Sequence, residues 1–139
     1  MRKKHWNTEG ITKMNTKQVR NFFIEDYPRL ALIVTGHCLS ESSVKPIKVN
    51  ISEKGGFAYY QNVYALVSTT IAQLENTAVH PYRTVIIEHY IKHTRLNDLE
   101  PLIGFKHTAT CRRINEALVC FAYEYNKQAD KYNLEFRFQ

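Results

Sequence analysis

Between Lys92 and Asn115 the chain gathers side chains suited to gripping a polyanion. Lys92, Arg95, Lys106, Arg112 and Arg113 are cations, and His107, Thr108, Cys111 and Asn115 are hydrogen-bonding groups. In the major groove an arginine can hold a guanine edge with two hydrogen bonds, whereas lysine and asparagine suit phosphate oxygens. If the residues after Gly104 form a helix, Lys106, His107, Thr108, Cys111, Arg112 and Asn115 share the face near its start. On that spacing His107, Thr108, Cys111 and Arg112 are expected to contact bases. Lys92, Arg95, Lys106, Arg113 and Asn115 are expected to contact phosphates.

Other chemistries find less support. His89 and His93 stand four apart on a predicted helix and could reach one metal ion, but no third ligand suggests itself and the metalloprotease glutamate is missing between them. Cys111 could be oxidised, although a neutral thiol among polar groups is the commoner arrangement. Serine, histidine and aspartate all occur without a nucleophile elbow. Gly55-Gly56 lacks the Gly-Lys-Ser of a phosphate loop. Neither an enzyme nor a bound cofactor is expected.

The elements that must position these groups follow from periodicity. Val19, Phe22, Phe23, Tyr27, Leu30, Ile33 and Val34 recur at helical spacing from Thr16, with Pro28 inside the pattern. Proline cannot continue a helical hydrogen-bond ladder. The spacing therefore predicts a helix to about Glu25, then a short one capped by Asp26, with Pro28 in its first turn and an end near Gly36. Residues 37–57 are rich in serine and glycine with no sustained period and read as a flexible linker, in which Ile47-Lys48-Val49-Asn50-Ile51 is a minor candidate for an edge strand. A helix from Tyr59 to about Asn76 should bury Tyr60, Val63, Tyr64, Val67, Ile71 and Leu74. Tyr59, like Tyr60, is assigned to the core. Another helix should run from Pro81 to about His93, burying Tyr82, Val85, Ile86 and Tyr90.

A short helix with Asn97 as N-cap and Glu100 completing a capping box should then end at Gly104, with Pro101 inside it. The last helix should bury Thr110, Ile114, Ala117, Leu118, Phe121 and Tyr125. Two helices joined by a glycine turn, the second opening on a polar and basic face, match a helix-turn-helix, at about residues 95–125. The ending Leu134 to Phe138 alternates like a strand, and is expected to pack across the helices, pair with a partner's edge or fray.

Composition agrees with a DNA-binding domain. The chain has 139 residues, 44% hydrophobic, and a formal net charge of +6. That length supports one ordinary core. Arg2, Lys3, Lys4, Lys13, Lys17 and Arg20 face a single acid, Glu9, in the first twenty positions. A second basic run extends from Arg83 to Arg113, and such runs favour polyanions through counterion release. The three cysteines, Cys38, Cys111 and Cys120, are odd in number and widely spaced, against a disulfide framework or a zinc finger. No run of ~18 apolar residues offers a membrane span, and no apolar signal region follows the basic N-terminus. A cytoplasmic protein without a membrane partner is expected.

These residues together resemble a known family. Leu102-Ile103-Gly104-Phe105 through Ala117-Leu118 looks like region 4 of sigma-70-type factors. The chain as a whole is similar to the ArpU/RinA-type transcriptional regulators of phages and prophages of Gram-positive bacteria. The matching residues are Phe22-Phe23, Asp26-Tyr27-Pro28-Arg29-Leu30, Pro81-Tyr82-Arg83, Tyr90-Ile91, Ala117-Leu118, Phe121-Ala122 and Asn133-Leu134-Glu135-Phe136, so that the likeness spans roughly residues 16–138. The resemblance implies activation of late phage genes for packaging and lysis, by binding double-stranded DNA and engaging host RNA polymerase.

The expected protein is all-α, a bundle of about five to six helices with a C-terminal sigma-region-4-like helix-turn-helix. Residues 1–36 would form a basic arm and N-terminal module, 37–57 a linker and 58–139 the helix-turn-helix domain. A homo-oligomer would suit paired half-sites. Two rival expectations are a small-terminase-like subunit that recognises a DNA packaging site, and a protein-only sigma-like adaptor of RNA polymerase.

Overall fold

The computed structural model describes residues 16–36 and 56–138. The basic arm at 1–15, the candidate strand at 47–51 and all of the expected linker except Gly56 and Phe57 lie outside these residues. Among the described residues the protein is all-α, with five helical segments and no strand.

The first segment departs from its expected break. Thr16–Asn21, a π turn over Phe22–Asp26, and Tyr27–Thr35 run on as one helix, α1. Asp26 has helical backbone angles and makes no capping hydrogen bond. Instead the Tyr27 N–H donates to the Phe22 carbonyl, five residues back. This wider turn shifts the bonding register just ahead of Pro28, so the helix passes the proline without stopping. It ends at Gly36, whose φ of +76° is one that glycine adopts without strain.

Helix α2 covers Gly56–Gln73, starting and stopping about one turn earlier than periodicity suggests. The chain breaks because Asn76 serves the next element. Its side-chain oxygen accepts from the Thr84 N–H at 3.1 Å and from the Thr84 hydroxyl at 2.9 Å. The Arg83 N–H donates to the Glu75 carbonyl at 3.2 Å. The open N–H groups at the start of α3 thus find partners in the preceding loop. Helix α3 comprises Tyr82–Val85 continued as a π turn over Ile86–Ile91, with Pro81 just outside rather than in the first turn. Tyr82, Val85, Ile86 and Tyr90 are all buried, as their spacing predicts. Two further helices follow, α4 at Leu96–Ile103 and α5 at His107–Tyr132.

Helix α5 is the axis of the core. Thr110, Ile114, Ala117, Leu118, Phe121 and Tyr125 are buried, the face expected from their spacing. Phe121 packs edge-on to Phe23 of α1 at 4.8 Å between centroids, and Phe23 stacks on Tyr90 of α3 at 5.6 Å. Tyr27 stacks on Tyr64 of α2 at 5.9 Å. One aromatic cluster therefore ties α1, α2 and α3 to α5, with each pair contributing about 0.5–1.5 kcal/mol beyond its burial. Tyr59 and Tyr60 do not join it; they are 37% and 43% exposed, against the expectation of core positions. They lie in the first turns of α2, at the rim of the core rather than inside it.

The alternating tail packs across the helices and forms no strand. Phe138 is buried, with ring centroids 5.3 Å from Phe22 and from Tyr125. The Asn126 side chain donates to the Phe138 carbonyl at 2.8 Å and accepts from its N–H at 3.0 Å. One amide side chain thus satisfies the peptide groups that a neighbouring strand would otherwise pair.

Candidate nucleic-acid interface

The approach to α5 is fixed residue by residue. Thr94 is tied to the end of α3: its N–H donates to the Glu88 carbonyl at 2.7 Å and its hydroxyl to the Glu88 carboxylate at 3.0 Å. His89 Nδ1 donates to the Thr94 carbonyl at 2.9 Å, which gives this histidine a structural task. Because Thr94 is held there, the chain is already helical at Leu96. Arg95 takes the N-cap position, and its carbonyl accepts from the Asp98 and Leu99 N–H groups at 2.9 Å each. The expected capping box of Asn97 and Glu100 is therefore not formed, and Asn97 sits inside the first turn.

Pro101 is accommodated because α4 is short and this proline is on its outer side. Its missing N–H leaves the Asn97 carbonyl toward solvent, where water can serve it. Leu99, fully buried, anchors the opposite side. Gly104 then turns the chain with φ +78°, and both its N–H and that of Phe105 donate to the Glu100 carbonyl, at 2.9 and 3.3 Å. A Cβ here would meet no atom within 4 Å, so backbone angle rather than space favours glycine.

Helix α5 starts after Lys106, whose extended backbone caps without a side-chain bond. Thr110 closes the turn instead, its N–H donating to the Lys106 carbonyl at 2.8 Å and its hydroxyl to the Phe105 carbonyl at 3.2 Å. Lys106, His107, Thr108, Arg112 and Asn115 are exposed and Cys111 is half-buried, so the predicted polar stripe is brought together over about two and a half turns. Beyond it, every residue from Ala117 to Ala122 is buried. The helix projects at its start and is enclosed in its middle.

Within the stripe, His107 Nδ1 lies 3.3 Å from a Glu100 carboxylate oxygen, and Nε2 lies 3.8 Å from the Cys111 sulfur. A carboxylate only accepts, so Nδ1 carries the proton and the ring is oriented between α4 and the thiol. The side chains of Lys106 and Arg112 make no ion pair or hydrogen bond with any described residue. Asn115 accepts from Arg20 of α1 at 3.0 Å, which brings a cation from 95 positions away beside the stripe. Sequence spacing carries no sign of this contribution; only Arg20's place in a basic run hints at it.

The remaining expected phosphate contacts are differently placed. Arg113 points inward: Nε donates to the Val79 carbonyl at 3.1 Å, Nη1 to Glu116 at 3.1 Å, and the guanidinium lies 4.8 Å over the Phe105 ring. The same Glu116 oxygen accepts from the Tyr82 hydroxyl at 3.0 Å. Burial, and then the Glu116 charge, hold that phenol firmly protonated. Arg113 thus fastens α5 to the α2–α3 loop. Lys92 pairs with Glu88 at 3.0 Å at the end of α3, and Arg95 lies 3.9 Å from Asp98 in full solvent. Among the described residues no group of three or more His, Cys, Asp or Glu side chains could hold a metal ion.

No family model matches the chain, and no curated protein or solved structure shows significant similarity to it.

Proposed function

We propose that the protein is a sequence-specific DNA-binding regulator of transcription, in which α4, the Gly104 turn and α5 act as a helix-turn-helix. The observation that carries this reading is the exposed stripe at the start of α5, where Arg112 and Lys106 have no acidic partner among the described residues. The first turn of α5 contains no acidic residue, so the positive end of the helix is not neutralised from within it. In this reading Arg112, His107 and Thr108 meet base edges in a major groove, with Cys111 beside them. Lys106, Asn115 with Arg20, and the more distant Arg95 and Lys92 are suited to phosphates.

The resemblance extends the proposal to activation of late phage or prophage genes together with host RNA polymerase. None of the described helices is long and apolar enough to cross a membrane.

The test is selection of bound fragments from a library of the source genome at physiological salt, with Arg112→Ala alongside. Enrichment of one short motif upstream of a gene cluster, lost in the variant, is the expected result. Featureless binding shared by both proteins would sink the base-reading role and leave a protein-contacting adaptor or a packaging subunit to be tested by polymerase capture and by assembly mass.

A further inference from the structure

A second surface lies on α1 and α2 and uses no residue of the α5 stripe. Of the nine large hydrophobic side chains exposed among the described residues, six are on these two helices: Ile24, Leu32, Ile33, Phe57, Tyr59 and Tyr60. Three of them, Ile33, Tyr59 and Tyr60, line one groove, and apolar side chains grouped in this way mark an interaction site more often than scattered ones do. Between the helices runs an open groove of about 270 Å³. Its floor includes buried Phe22, its walls are Ile33, Tyr59 and Tyr60, and its rim carries Asp26 and Arg29.

The rim charges indicate the occupant. Asp26 and Arg29 are one turn apart on α1, a spacing at which ion pairs form readily. Yet they pair neither with each other nor with any described residue. An acid and a base without partners among the described residues, set around an apolar centre, can be complementary to the same pattern on a second copy. In a two-fold contact, Asp26 of each copy meets Arg29 of the other, and the tyrosine and isoleucine walls close on their own images.

We propose that this groove is the interface of a homodimer of the chain. The dimer leaves both α5 stripes open, so two copies can present them together.

Sedimentation equilibrium of the full chain without DNA tests this, and its outcome does not depend on whether the α5 stripe reads bases. The expected result is a dimer at micromolar concentration. Tyr60→Asp, at an exposed position, should leave the helical circular dichroism spectrum of the folded chain unchanged and weaken the dimer by ~100-fold. Asp26→Arg alone and Arg29→Asp alone each set like charges against one another across the two-fold axis and should weaken it by ~10-fold or more. The double variant should regain most of the loss, because the swap restores both cross pairs. A monomer up to ~100-fold higher concentration than that overturns the proposal and leaves the groove to residues 37–55 or to another protein. A dimer indifferent to Tyr60→Asp, or a double variant no better than the singles, overturns it as well.

Discussion

Arg112 and Arg113 are neighbours on one helix with opposite fates, and they stand for two regions of α5. From Lys106 to Asn115 one side of the helix is bare, and its side chains touch little besides Glu100 and Arg20. From Ala117 to Ala122 the helix is enclosed on every side by α1, α2, α3 and the C-terminal tail. A rotation of 100° per residue sends Arg112 to solvent and Arg113 into the crevice beside Phe105. The difference teaches that the stripe is rigid because of the part it does not include: its angle is set by the aromatic cluster further along the same helix.

The sharpest way to break that comparison is to hollow the enclosed half. Phe121→Ala removes a fully buried ring that touches Phe23, Tyr125 and Phe138, and should cost ~3–5 kcal/mol in urea unfolding. If the midpoint barely moves, α5 is not the axis of the core.

Thiol chemistry compares the two regions without mutation. Cys120 is buried, and desolvation followed by the charges of Glu116, Glu75 and Glu124 pushes its thiol well above the ordinary range. It should be alkylated only through unfolding, ~10³-fold or more slowly than half-buried Cys111, as read by mass after timed labelling. Comparable rates at the two sites would show that the middle of α5 is open.

A smaller effect is expected at the joint between the regions. Arg113→Ala leaves the Val79 carbonyl and the Glu116 carboxylate without their donor, and should cost about 1–3 kcal/mol of stability while leaving sequence preference unchanged. A shifted preference with intact stability would return Arg113 to the DNA-facing set. The smallest expected change in stability comes from Arg112→Ala, within ~0.5 kcal/mol of the parent because the side chain has no described partner to lose. The same variant should lose ~1–3 kcal/mol of binding to its preferred site. Loss of stability in its place would mean that Arg112 supports the fold.

Much of this architecture is legible in the amino-acid order. Thr110, Ile114, Ala117, Leu118, Phe121 and Tyr125 lie on one face because helical periodicity alone dictates it, and their types leave that face only one place to go. The polar stripe opposite follows from the same rotation. The turn at Gly104 is equally legible, since a left-handed residue between two helical patterns is most often glycine. Where the fold departs from the pattern, a competing partner decides. Asp26 is a plausible cap by type, but a π turn lets α1 continue past Pro28. Asn97 is another, but Thr94, held by Glu88 and His89, moves the start of α4 upstream. Tyr59 and Tyr60 have the composition of core residues, but no segment among those described lies over them.

Residue type and spacing, then, determined that the chain is helical, which face of each helix is apolar, and that the start of α5 is basic and polar. These are local properties, fixed by a 3.6-residue repeat and by what glycine and proline allow. Tertiary structure alone decided which cations reach across to other elements. Lys92 and Arg113 pair with Glu88 and Glu116 at helical spacing, but Arg113 also reaches the Val79 carbonyl 34 positions away and Arg20 reaches Asn115 95 positions away, because such contacts depend on distances in space that sequence separation does not encode.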